Sequence, residues 1–166
     1  VAQRISYFSL ILFALSTLNA CVSIDVGKVK TQKSTIARYD SPSAPFEEVK
    51  TVHLDKKWLN RTNGNIISHL SDCQNPNEPS LENIFKGIVS EIDDVRIIHS
   101  GTVNYNFRKA LHSVVEGYVD GVSTRFELMI FKKHDCTYIL TYAATAKSFA
   151  DNQREFNNFV KRFVVP

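Results

Sequence analysis

Leu111–Phe131 reads LHSVVEGYVDGVSTRFELMIF. Two runs rich in β-branched and aromatic residues flank Asp120-Gly121, a dipeptide that tolerates the positive φ angles of a two-residue type I′ turn. The stretch therefore predicts a β-hairpin, with strands at 111–119 and 122–131. A two-residue turn fixes the register. Val119 then faces Val122, Gly117 faces Thr124, Val115 faces Phe126, Ser113 faces Leu128 and Leu111 faces Ile130. These pairs make a mostly apolar face suited to cover by helices. On the other face Tyr118 meets Ser123 and Glu116 meets Arg125 as a cross-strand ion pair, of a kind worth about 0.2–1 kcal/mol.

Downstream of the hairpin, Lys132–Asp135 reads as a turn and Cys136–Ala143 as a further strand carrying Tyr138, Leu140 and Tyr142. A closing helix is predicted from about Ser148 to Phe163, with Phe149, Phe156, Phe159, Val160 and Phe163 as its apolar residues. Upstream, Val95–Ile98 is strand-like. Before it, Ser80 is placed to cap a helix whose stripe of Leu81, Ile84, Phe85, Ile88, Val89 and Ile92 follows helical spacing. Asp93-Asp94 is unfavourable at a helix C-terminus and predicts the stop. Further back, Asn63-Gly64 joins Trp58–Asn60 to Asn65–Leu70 as another hairpin. The predicted order is β-β-α-β-β-β-β-α, an α+β fold with two helices packed on an antiparallel β-sheet. One domain is expected over 46–166.

This element order, the long central hairpin around Asp120-Gly121, the strand Cys136-Thr137-Tyr138-Ile139-Leu140-Thr141-Tyr142 and the Phe-rich closing helix together resemble the Mog1/PsbP-like superfamily, which includes DcrB-type bacterial lipoproteins. The resemblance covers about residues 46–166. It implies a non-enzymatic accessory or binding protein, although a fold does not fix a function.

The front of the chain is read as an address. Residues 1–20 are VAQRISYFSLILFALSTLNA. Arg4 supplies a positive n-region, and the uncharged apolar stretch Ile5–Leu18 suits a signal peptide better than a spanning helix, which needs about 20 apolar residues. Leu18-Asn19-Ala20-Cys21 resembles a lipobox, which implies lipidation of Cys21, cleavage before it, and anchoring to a membrane. Val22, in place of aspartate, points by family rule to the outer membrane facing the periplasm. Residues 21–45, rich in Ser, Thr and Lys and without apolar period, are expected to be a flexible tether.

With Cys21 assigned to lipid, Cys73 and Cys136 remain. An even pair in an exported domain predicts a disulfide. Two separate buried thiols, or a zinc set completed by His69 and His134, are the alternatives. Neither cysteine has a CxxC partner, so no metal is expected.

Charge excludes a nucleic-acid partner. The net charge is +3, and from Phe46 onward Lys plus Arg and Asp plus Glu are equal in number, so the surplus sits near the front. No HExxH, GxSxG, GxxxxGK[ST] or GxGxxG occurs, and the five histidines show no ligand spacing. Neither an enzyme activity nor a cofactor is predicted. The expected function is that of an envelope protein binding another envelope protein. Its candidate binding residues lie on the polar sheet face: His112, Glu116, Tyr118, Arg125, Glu127 and Met129, beside Tyr138 or Tyr142. The alternative is a carrier of a small apolar ligand or lipid, held between the sheet and the Phe-rich helix.

Overall fold

The computed structural model describes residues 32–73 and 79–166. Seven strands form one antiparallel sheet: β1 (Phe46–Glu48), β2 (Lys56–Asn60), β3 (Ile66–Asp72), β4 (Asp93–Tyr105), β5 (Arg108–Val119), β6 (Val122–Lys133) and β7 (Cys136–Thr145). Helix α1 (Leu81–Val89) lies between β3 and β4, and α2 (Phe149–Arg162) follows β7. The strand order is β1-β2-β3-β7-β6-β5-β4. The fold is thus α+β, as the residue pattern predicts.

The central hairpin has the predicted register, from Val119↔Val122 through Glu116↔Arg125 to Leu111↔Ile130. Asp120 and Gly121 both have positive φ, at 50° and 76°, as the turn requires. Helix α1 is capped by Ser80, whose Oγ accepts from Asn83 N at 3.2 Å. It ends at Val89, a turn earlier than the apolar stripe suggests, and Ile92 packs on the core from the connection instead.

Three expectations are corrected. The strand predicted at 95–98 runs from Asp93 to Tyr105. Its second half, Ser100–Tyr105, alternates exposed and half-buried residues, but Gly101 and the polar residues weaken that pattern. It turns into β5 at Asn106-Phe107, both at positive φ, where a Phe gives no hairpin signal. The short β1 was not predicted.

The second correction concerns the tether. Residues 32–45 pack on the domain rather than standing free of it. Arg38 N donates to Val164 O at 2.8 Å, Ser34 Oγ bonds Tyr138 OH at 2.8 Å, and the Tyr39 ring stacks on Phe163 at 5.4 Å. One aromatic anchor and a few backbone bonds hold this segment, and such anchoring leaves no sequence period. Residues 1–31, with the expected signal peptide and Cys21, lie outside the described residues.

The third correction is that the helices cover opposite faces. On the predicted apolar face, α1 packs Phe85 and Val89 against Leu111, Val115, Leu128 and Ile130. On the other face, Phe149, Phe156 and Phe159 of α2, with Phe163 just after it, pack against Met129, Phe131, Tyr138, Leu140 and Tyr142. Phe156, Phe159 and Phe163 are each 1% exposed or less. Burial of such a ring contributes about 1.5–3 kcal/mol, which outweighs leaving that face to water. The polar end of this layer is satisfied as well: the buried Asn65 Nδ2 donates to Tyr142 OH, Ser148 O and Asn152 Oδ1.

The α1–β4 connection crosses β5 closely at Gly117. A Cβ there would lie 2.5 Å from Ile92 Cγ2 and 2.6 Å from the Asp93 carbonyl oxygen. Gly117→Ala is therefore expected to lower stability by about 2 kcal/mol through overpacking. Urea unfolding checks this, and an unchanged midpoint would contradict the close approach.

Candidate functional site

The six residues read as one polar sheet face share a side of the sheet but not an environment. Helix α2 covers its middle. Met129 is buried there among the rings, and Glu127, 2% exposed, is held between His112 Nε2 at 2.8 Å and Gln153 Nε2 at 2.8 Å. His112 is half-buried and stands 5.5 Å from the His99 ring. These three residues support packing and are not an open surface, which corrects the expectation of one continuous face. The physical reason is the apolar run on both sides of β6 and β7, which draws the Phe-rich helix over them.

Glu116, Arg125 and Tyr118 remain accessible beyond the start of α2. Glu116 accepts from Arg125 Nε at 2.9 Å and from Arg96 Nη2 at 3.0 Å. These bonds, Arg125 first, hold its carboxyl below the usual range. The Arg125 guanidinium also lies 5.3 Å over the Phe149 ring. Tyr118 is exposed, and so are Val95, Ile97 and Ile98 on β4 and Val122 at the start of β6. Ile97 pairs with Val115 and Val122 with Val119, which places both on the α1 side of the sheet, opposite Tyr118. All eight residues from Asp93 to Ser100 are exposed, because α1 packs over β5 and β6 and stops short of β4. Bulges between Asp93 and Arg96 and between Ile97 and His99 interrupt the β4 ladder at this end. The sequence shows the apolar strand here, but not that it is an edge.

A second cluster carries no sequence signal. The carboxylate of Asp55, in the β1–β2 loop, accepts from Ser71 Oγ and lies 3.6 Å from His69 Nδ1. His69 sits among Tyr39, Trp58, Phe159 and Phe163. Neither of its nitrogens, nor Asp55 Oδ1, nor Trp58 Nε1, has a hydrogen-bond partner among the described residues. Burial, reinforced by Lys56 and Lys33, pushes the imidazole down to about 4, so it is neutral near pH 7. Asp55 also lines an open groove of about 520 Å³, bounded by Glu48, Lys50, Thr51, His53 and Lys56. Buried, pKa-shifted groups beside a cleft are a recognised sign of function, but they equally arise from structural packing. Here aromatic rings enclose the histidine.

Cys73 and Cys136 are joined by a disulfide, with sulfurs 2.06 Å apart. This takes both thiols out of any zinc set. His69 lies in the aromatic core, and His134 Nε2 bonds Pro166 O at 2.7 Å. The phenyl rings of a supposed carrier cavity contact one another and the sheet: Phe159 meets Trp58 at 5.3 Å and Phe163 at 5.8 Å, and Phe156 meets Tyr142 at 5.8 Å. Those rings are core.

The described residues form seven antiparallel strands with one helix on each face, an α+β fold, and solved structures show the same fold. The solution structure of cyanobacterial PsbP (CyanoP) from Synechocystis sp. PCC 6803 is similar at a TM-score of 0.60 and 8% identity, over 90% of this chain and 99% of that one. LpqN of Mycobacterium tuberculosis, described as involved in cell envelope biogenesis, gives a TM-score of 0.58 at 6% identity, over 82% and 86%. PA94 of Pseudomonas aeruginosa, a protein of unknown function and putative regulator, gives 0.51 at 10% identity, over 77% and 85%. At these identities the likeness is one of fold. No protein-family model matches the chain, and no curated protein matches it in sequence.

Proposed function

We propose that this is a lipid-anchored accessory protein of the bacterial cell envelope, without enzymatic activity, that binds another envelope protein along the exposed edge of β4. The observation that carries the reading is that edge. It is 13 residues long, ends the sheet, and exposes Val95, Ile97 and Ile98, with Ile97 on one face of the edge and Tyr118 and the Arg96–Glu116–Arg125 cluster on the other. A strand edge with unpaired backbone groups and apolar side chains is a template for another chain. Aromatic and arginine residues are the types that dominate binding energy at such surfaces.

The lipobox-like Leu18–Cys21 supports the anchor, through Cys21. The disulfide fits an oxidising compartment. LpqN, with the same fold, is described as involved in cell envelope biogenesis. Val22 after the cysteine favours the outer membrane, facing the periplasm, in a cell that has one.

A photo-crosslinking residue at Ile97 is expected to trap a discrete envelope protein in the native cell, while the same residue at Asn157, exposed on α2, traps none. Equal labelling from both positions, or none from either, would remove the edge as the binding site. Separately, Cys21→Ser is expected to abolish fatty-acid labelling and leave the precursor unprocessed. Continued labelling would end the anchor assignment.

A further inference from the structure

The chain meets the domain at the end of the sheet that carries the β4–β5 and β6–β7 turns. Cys73 N donates to Gln32 O at 3.0 Å, and Cys73 is bonded to Cys136 at the β6–β7 turn. Val165 N donates to Asn106 Oδ1 at 3.2 Å, which brings the last residues to the same end. At the tip of the β4–β5 turn, Phe107 is 99% exposed with φ of 61°.

Neither local structure nor packing accounts for a phenyl group there. The left-handed region disfavours a bulky side chain, turn chemistry calls for Gly or Asn, and a fully exposed ring adds no burial to the fold. The surroundings are consistent with a specific neighbour. Arg108 and Lys109 follow the ring, exposed, and Lys161 and Arg162 close α2 at the same end. Ile36 and Val164 add exposed apolar surface nearby. Asp93, Asp94 and Asp120 gather at the opposite end, near the β5–β6 turn. At this end Asp135 is exposed in the β6–β7 turn, and Arg162 lies 3.5 Å from Glu155 and 4.0 Å from Asp40, which leaves Arg108 and Lys109 as its basic flank. An aromatic tip with basic flanks is the chemistry that settles into the headgroup layer of an anionic bilayer.

We propose that this end of the domain lies on an anionic phospholipid surface, with the Phe107 ring in the headgroup region and Arg108 and Lys109 against lipid phosphates. The orientation rests on the Cys21 anchor. Eleven residue steps separate Cys21 from Gln32, a reach of at most about 40 Å, so a lipid at Cys21 keeps this end near the membrane. A soluble occupant of the tip is an outcome the test can return.

The test uses the full chain, purified from cell membranes and reconstituted in phosphatidylethanolamine/phosphatidylglycerol vesicles containing brominated acyl chains. Trp58 is the sole tryptophan and is 1% exposed, so its emission is shielded from the bromines and an added indole is read as the quenching above that measured in the unsubstituted protein. Phe107→Trp is expected to be quenched at least about three-fold more than Val122→Trp, which sits at the far end and is exposed. Adding Arg108→Glu and Lys109→Glu, or using phosphatidylcholine alone, is expected to cut quenching at 107 at least about two-fold, since each basic group near the surface contributes roughly a five-fold partitioning gain. Equal quenching at both ends, no quenching at 107 in protein that floats with the vesicles, or protein that does not float would each overturn the proposal. So would quenching that is indifferent to lipid charge. Fatty-acid labelling of the same preparation keeps the two readings apart. Label with no quenching at 107 sinks the tip alone, and quenching at 107 without label sinks the anchor alone.

Discussion

Replacing Cys73 and Cys136 together by serine is expected to lower stability by about 4 kcal/mol. The bond closes a loop with a sequence separation of 63, and in the chain-entropy model a loop of that length confers roughly that amount by restricting the unfolded chain. Its position makes the loss consequential. The β1-β2-β3 and β7-β6-β5-β4 parts of the sheet meet at the β3–β7 ladder, seven registered pairs from Ile66↔Ala143 to Asp72↔Thr137. The disulfide sits just past the last pair. It therefore staples a non-local pairing whose strands are far apart in the chain, where closure is entropically costly. Domains of this size have total stabilities of about 5–15 kcal/mol, so the variant should lose a large share. Urea unfolding of the described domain in the intact protein, with and without reductant, measures it. A change below about 1 kcal/mol would show that the ladder holds without the staple.

Acid is expected to weaken the fold through His69. Its folded-state pKa is depressed from 6.5 to about 4. Between those values the unfolded chain takes up a proton that the folded one refuses. Stability is thus fully present above about pH 6.5 and falls as pH drops toward 4, by at most about 3 kcal/mol from this group. The ring's nitrogens have no hydrogen-bond partners among the described residues, so His69→Phe should change stability at pH 7 by less than about 1.5 kcal/mol. The same variant should remove most of the additional loss between pH 6.5 and 4, leaving the carboxylate titrations as background. Identical pH profiles for the two proteins would mean that the imidazole protonates inside the fold, with Asp55 at 3.6 Å as its counter-charge.

The central hairpin was legible because Asp120-Gly121 names its turn, and a two-residue turn leaves no freedom in register. At Asn63-Gly64 the existence of a hairpin was legible but not its register, because the strands close through residues 61–64 with Gly64, and not Asn63, at positive φ. The helices were legible from Ser80 and from the spacing of the two apolar stripes. Their placement on opposite faces was only implicit. It lies in Ile130 and Ile139 alternating with Met129, Phe131, Tyr138 and Leu140, which makes β6 and β7 apolar on both sides, as strands covered twice must be. Reading the hairpin alone gave one apolar and one polar face, because His112, Glu116 and Glu127 supply the polarity and are satisfied by partners a sequence does not show. Tyr39 and the Asp55–His69–Ser71 cluster were not legible at all. They act as single residues from distant segments, with no spacing to betray them. The cysteine pair was legible by arithmetic.

The Arg38–Val164 pairing has a practical consequence. It brings the two ends of the folded unit together, so a reporter fused after Pro166 would share its side of the molecule with the incoming chain and with Phe107. The Asp120-Gly121 turn projects from the other side, and the two strands it joins are also held in register by their ladders to β4 and β7. An inserted tag there, or a circular permutant cut there with its old ends joined, should leave all seven strands in register and keep the added mass clear of whatever Phe107 touches.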